Sequence, residues 1–158
     1  MTLKEYRKKR NLKKSGEPSS RRQKARKGKS SKEKHKLPRF VIHEHHASHL
    51  HWDLRLEMDR VLKSWAVPKP IPLKKGEKRL AIQVEDHPLS YARFKGVIPE
   101  GNYGAGTVLI WDTGKYQLIE RTPKKIVVEF KGKKLKGKYC LIKTSYGGIK
   151  NGWLFFKI

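Results

Sequence analysis

Ten residues, His49–Met58, alternate without a break. Leu50, Trp52, Leu54, Leu56 and Met58 point one way, and His51, Asp53, Arg55 and Glu57 point the other. That period is two, not 3.6, so the stretch is a strand with one apolar face and one chemically loaded face. Asp59-Arg60 then offers a turn into a returning strand, Val61–Val67. Arg79–His87 alternates again and is stopped by Pro88, which has no N–H for the ladder. The same reading predicts strands at Phe40–His45, Thr107–Trp111, Lys115–Glu120, Ile126–Phe130, Lys138–Lys143 and Gly152–Ile158, with Asp112-Thr113-Gly114 as a short hairpin loop. No long helical period and no internal repeat is present. The fold class is therefore all-β, a compact antiparallel β-barrel of about eight strands. Because at least two strands carry polar residues on a face due for burial, the polar site is expected in the barrel's mouth or interior. Trp52, Trp65, Trp111 and Trp153 are expected in the core or wall, not as stacking platforms for bases.

Charge divides the chain. Lys and Arg number 39 against 14 Asp and Glu, a formal net charge of +25. Residues 1–36 hold 16 basic and 3 acidic residues but only Met1, Leu3, Tyr6, Leu12 and Ala25 as apolar ones. A basic N-terminal arm (1–36) thus precedes a β-barrel domain (37–158). The Ser19–Lys36 stretch cannot bury enough apolar surface to offset its ordering entropy, which predicts a flexible linker. No apolar run exceeds four residues and the N-terminus lacks an apolar signal region, so a cytoplasmic protein without a membrane partner is expected. One cysteine, Cys140, excludes an internal disulfide framework and a CxxC zinc site. Such a charge favours a polyanionic partner, nucleic acid first.

Five of the seven histidines fall between His43 and His51. His51 and Asp53 share a strand face two residues apart, about 6–7 Å, a workable bite for two ligands on one ion. His45 can complete a two-imidazole, one-carboxylate set that leaves coordination positions open, as a catalytic ion requires. Mixed nitrogen and oxygen donors suit Mn, Fe or Zn. Arg55 and Glu57 on the same face, and Arg79, Glu85 and His87 on another strand, are costly to bury unless paired or metal-bound. Arginine beside a metal points to an anionic substrate: Arg55 and Arg79 can each grip two phosphoryl oxygens, and Lys69 could add a point charge. His87 could donate a proton or a hydrogen bond. His43 shares the face of His45, as a supporting or an exposed group, while Glu44, His46 and His49 receive no role. The glycine-rich Gly101–Gly106 loop lacks the GK[ST] ending of a P-loop and reads as a β-turn.

Three runs carry a resemblance. HxxxHLHWDLRLEMDRVLKSWAVPK from His45, KRLAIQVEDHPLSYARFKGVIPEGNYGAGTVLIWDTG from Lys78, and LKEYRKKRNLKKSGEP at Leu3–Pro18 closely resemble the 3′-phosphoesterase module of ATP-dependent DNA ligase D. The resemblance is strong over Leu3–Tyr116, apart from the basic insert, and looser over Leu135–Ile158. It implies a manganese-dependent end-healing enzyme of DNA end joining, acting on DNA or RNA-DNA 3′ ends. Such an enzyme trims a terminal ribonucleoside to leave a 3′-phosphate, then removes that phosphate. By resemblance His45, His51 and Asp53 fall on metal ligands, and Arg55 and His87 on phosphate-site residues. Arg79, Lys69, Glu85 and Tyr91 fall on supporting positions, and Arg10 and Glu17 on functional positions of the N-terminal segment. Leu3–Pro18 is then expected to dock on the active site. Departures are Asn11 for the usual Asp, Asp59-Arg60 for Asp-Gly, and Lys69-Pro70 for Lys-Gly. With no polymerase or ligase segment present, a stand-alone, monomeric form is expected, with other end-joining proteins as candidate partners.

Two other classes fit parts of the sequence. One is a non-catalytic basic module that binds nucleic acid and keeps only a structural metal. The other is a two-histidine, one-carboxylate iron oxygenase of the barrel type, which shares the ligand set. Arg55, Arg79, Lys69 and His87 favour phosphate chemistry over either.

Overall fold

The computed structural model describes residues 2–19 and 36–158. Among the described residues nine strands form: β1 (Arg39–His46), β2 (Leu50–Met58), β3 (Val61–Val67), β4 (Lys78–His87), β5 (Gly96–Ile98), β6 (Gly106–Thr122), β7 (Lys125–Lys131), β8 (Lys136–Lys143) and β9 (Gly152–Lys157). All neighbours are antiparallel in the order β1-β2-β3-β4-β9-β8-β7-β6-β5, and β1 also pairs with β6. That last pairing closes an eight-stranded barrel and leaves β5 on the outer edge of β6. Two short helices, α1 (Leu3–Lys9) and α2 (Leu12–Ser15), lie upstream. The linker expected over 19–36 falls, from 20 to 35, outside the described residues.

Apolar residues of alternating register fill the barrel. Phe40 and Ile42 of β1, Leu54 and Leu56 of β2, Trp65 of β3, Phe130 of β7 and Phe155 of β9 form one buried cluster. Trp52 and Trp153 belong to it as well, while Trp111 is half-buried at its margin. Among the described residues no helix is long and apolar enough to cross a membrane.

Two expectations are corrected. Asp112-Thr113-Gly114 is not a hairpin loop: β6 runs unbroken from Gly106 to Thr122 and passes from β1 to β7 as its partner. Gly114 marks a close approach, since a Cβ there would lie 2.6 Å from the Lys131 carbonyl oxygen. Asp112 does not turn the chain either. Its carboxylate accepts backbone N–H bonds from Lys133 (3.1 Å), Lys134 (3.0 Å) and Leu135 (2.8 Å), pinning the β7–β8 turn. The second correction concerns the polar site, which lies on the barrel's outer face. The interior is apolar because the faces holding Leu54 and Phe40 turn inward, so His51, Asp53 and Arg55 turn out.

The Asp59-Arg60 turn keeps its tight geometry without glycine. Both residues have positive φ (56° and 63°), the conformation of a two-residue hairpin turn, and Asp59 is gripped by Arg121 at 2.9 and 2.6 Å.

Candidate metal and phosphate site

Strand register assembles the site. His45 sits opposite His51, and His43 opposite Asp53, across β1 and β2. Arg55 is opposite Ser64 on β3, and Leu62 opposite His87 on β4. Cross-strand partners share a face, so these groups form one polar lattice on the outside of four strands. That lattice is nonetheless buried, apart from the half-buried His51. Tyr6, Arg10 and Glu17 of the arm, and Tyr91 of the turn Leu89–Arg93, cover it, and Tyr6 itself is fully buried against Tyr91 and Leu62.

The donor atoms of His45, His51 and Asp53 all lie within 4.8 Å of one another. Asp53 Oδ1 is 3.3 Å from His51 Nε2, and its Oδ2 is 3.5 Å from His45 Nδ1. Each imidazole is turned by its other nitrogen. His45 Nε2 lies 2.6 Å from the Gly104 carbonyl oxygen, and His51 Nδ1 lies 3.0 Å from that of His49. A carbonyl can only accept, so those nitrogens carry the hydrogens and both lone pairs face Asp53. This is the donor set and tautomer state that a divalent ion requires. Burial alone would raise the Asp53 carboxyl, but Arg55 and the two imidazoles hold it well below the usual carboxylate range. His51 is shifted up despite its burial, because a protonated ring would donate its Nε2–H to Asp53 and be stabilised by the charge of that carboxylate.

Arg55 stands behind the triad. It donates from Nε to His43 Nδ1 (3.0 Å), from Nη1 to Ser64 Oγ (3.0 Å) and from Nη2 to Asp53 Oδ2 (3.4 Å). Three of its five N–H groups are thereby committed and two remain, one on each terminal nitrogen. Burial and then the Arg55 charge push His43 down to about 3, so it is a neutral acceptor for Arg55 and passes its own Nε2–H to the Phe94 carbonyl at 2.9 Å. His87 is likewise held well below its ordinary value, first by burial and then by Arg55 and Arg10. Its Nδ1–H donates to the Glu85 carbonyl (2.9 Å), and its Nε2 faces Arg10 Nη2 at 3.2 Å.

Arg10 ties the arm to this surface. Its guanidinium bonds Glu17 Oε2 and Glu85 Oε1, both at 2.9 Å, and its side chain and those two carboxylates are all buried. Tyr91 donates to the same Glu17 oxygen at 2.7 Å, and Tyr6 donates to the Pro18 carbonyl at 2.6 Å. Lys9 adds a second cation to Glu85 at 3.1 Å.

The structure thus brings together His45, His51, Asp53, Arg55, His87, Glu85, Tyr91, Arg10 and Glu17. Lys69 and Arg79 stand apart. They line a shallow pocket with Pro68, Lys78 and Leu80, where Arg79 Nε donates to the Pro70 carbonyl at 2.7 Å. That pocket opens at the same barrel end as His51, because Val67 pairs with Trp52. Sequence reasoning missed Ser64, Phe94 and Gly104, which act through hydroxyl and carbonyl groups that carry no local signature. Tyr6 was visible as a rare apolar residue of the arm, and that rarity was its signal. His46 and Glu44 form an exposed pair at 2.8 Å.

Comparison with known proteins supplies an independent line. A family model described as the DNA ligase D 3′-phosphoesterase domain matches residues 43–143. The multifunctional non-homologous end joining protein LigD of Pseudomonas aeruginosa is 43% identical over 161 residues, covering 98% of this chain and 18% of that protein. Its namesake from Mycolicibacterium smegmatis is 49% identical over 117 residues, 67% of this chain and 15% of that protein. The Mycobacterium tuberculosis protein is 50% identical over 110 residues, 67% of this chain and 14% of that protein. The chain spans less than a fifth of the length of each.

Proposed function

From the premise that this chain belongs to the DNA ligase D 3′-phosphoesterase domain family, we propose that it is a manganese-dependent enzyme that removes blocking groups from nucleic-acid 3′ ends during end joining. The observation that carries this reading is the triad of His45, His51 and Asp53 backed by buried Arg55 with two uncommitted N–H groups. A manganese ion held by these three residues would neutralise phosphoryl oxygens and lower the pKa of a bound water.

The protein's own groups supply the rest. Arg55 is oriented by His43, Ser64 and Asp53 before substrate arrives, so its remaining N–H pair meets developing charge without reorganising. His87 enters neutral. A phosphate beside it would oppose the burial and the two arginine charges that hold it down and draw the Arg10 N–H away from Nε2, so that this nitrogen can take a proton and share it with a phosphate oxygen. Glu85 and Glu17 hold Arg10 over His87, and Tyr91 fixes Glu17. Lys69 and Arg79, at the same barrel end, would hold the backbone next to the terminal phosphate. Both 3′-ribonucleoside trimming and 3′-phosphate removal use this one site, and its cationic surround favours phosphate over the oxygenase reading.

The test is phosphate release from a duplex ending in a 3′-phosphate, with manganese and with a chelator, alongside oxygen uptake. Metal-dependent phosphate release is expected; oxygen uptake without phosphate release would overturn the proposal. Arg55→Lys should lower kcat by roughly a hundredfold with little change in KM, because a lysine cannot hold three neighbours and still present a fork. A change confined to KM would make Arg55 a plain binding group.

A further inference from the structure

One row of the barrel wall carries cations where a solvated sheet would alternate its charges. Arg39 on β1 is paired with Lys115 on β6, Lys115 with Lys131 on β7, and Lys131 with Lys136 on β8. Four basic residues thus stand directly opposite one another on four adjacent strands, all on the outward face, with the three lysines exposed. Directly opposed side chains sit about 4.5–5.5 Å apart at Cβ, and like charges there destabilise the sheet. Among the described residues, acids beside the row are Glu57, 3.6 Å from Arg39, Glu129, paired in register with Lys138, and the buried Asp112, whose carboxylate is taken up by backbone N–H groups of the β7–β8 turn. Lys133 and Lys134 extend the row from a turn that Asp112 holds rigid, with Lys134 Nζ 4.9 Å from the Trp111 ring centroid.

We propose that this row is a second nucleic-acid contact, which holds the sugar-phosphate backbone of the duplex behind the 3′ end. It rests on the reading above for the identity of its partner. Three strand spacings of about 4.8 Å make the row about 14 Å wide, and because it runs across the strands it lies transverse to a duplex laid along β1, wide enough to reach the phosphates on both sides of a major groove of about 12 Å. It begins at Arg39, six residues along β1 from His45, or about 20 Å at the rise of a strand. Since Arg39 shares the outer face of β1 with His43 and His45, a duplex whose 3′ end lies at the triad reaches the row about six base pairs inward. The repulsion among the lysines is then a cost that a bound polyanion removes.

The test is equilibrium binding of the full chain, in chelator, to a 20-base-pair duplex with an unreactive 3′-hydroxyl, and to a four-nucleotide strand. The variant Lys115→Gln/Lys131→Gln/Lys136→Gln is compared with a charge-matched control, Lys124→Gln/Lys143→Gln/Lys150→Gln. The row variant should flatten the log–log salt slope for the duplex by about 2.7, roughly 0.9 for each phosphate that is no longer neutralised. Its disadvantage against the wild type should therefore shrink about fortyfold between 50 and 200 mM salt. Binding of the four-nucleotide strand should change far less, and the melting temperature should hold or rise, which also shows that the variant folds. Equal slopes for row and control variants would mean diffuse charge and overturn the proposal. So would equal weakening for the duplex and the short strand, or a row variant that no longer binds phosphatidylserine vesicles but still binds duplex. Because binding is read without turnover, an absence of phosphate release by the wild type would sink the proposed function while leaving this result standing.

Discussion

Replacing Asp53 by alanine is expected to lower manganese-dependent phosphate release by at least about a thousandfold, the upper end for losing one preorganised charge-stabilising group. Three roles meet in this carboxylate. It is one of three donors within 4.8 Å, it takes one N–H of Arg55, and it faces the lone pairs of both imidazoles. Its loss also leaves the buried Arg55 cation with no carboxylate, held by His43, Ser64 and the Tyr91 ring, and breaking a buried pair in this way costs about 3–5 kcal/mol. Asp53→Asn separates the effects, since it keeps an acceptor for Arg55 but removes the charge. It should fold closer to the wild type and remain inactive. Steady-state phosphate release and manganese titration check both variants, with thermal melts as the stability readout. Turnover within tenfold of the wild type in both would mean that the triad is not the metal site.

Arg10→Ala is expected to release the arm from the barrel and to lower kcat by about a hundredfold. The guanidinium is shared between two buried carboxylates, Glu17 and Glu85, and also touches His87. Without it Glu85 keeps Lys9 as its cation, and Glu17 keeps the Tyr91 hydroxyl. Two poorly partnered buried carboxylates favour undocking over tolerance. Amide hydrogen exchange over α1 should lose protection while that of β1–β4 persists, and kcat should fall with it. Acid should act in the same direction. Burial would raise the Glu85 carboxyl, but its hydrogen bonds and the Arg10 charge lower it overall. A carboxyl depressed in the folded state contributes stability that is full above its unfolded value near 4.3 and is lost as pH falls through the folded value. Glu85→Gln should therefore blunt the acid sensitivity of α1 protection. Unchanged protection and unchanged kcat in Arg10→Ala would show that the arm neither depends on this residue nor completes the site.

Much of this was legible along the chain. Alternation at Leu50–Met58 put His51, Asp53 and Arg55 on one side because successive Cβ atoms of a strand point to opposite faces, whatever the tertiary structure. The strands other than β5 and the undivided β6, the turn at Asp59-Arg60 and the barrel class followed from the same local geometry. Asp112-Thr113-Gly114 misled because a glycine that permits close strand contact looks the same in sequence as one that permits a turn. The side facing the barrel interior was beyond local pattern for a different reason. Both faces of β2 are buried, one by closure of β1 on β6 and the other by an arm some forty residues upstream. With apolar contacts at Tyr6 and Leu12 and one cation shared by Glu17 and Glu85, that arm carries no periodic signal of its docking. Its place became known by resemblance and by tertiary contact, because ion pairs and hydrogen bonds between distant segments depend on three-dimensional proximity, which no spacing along the chain encodes.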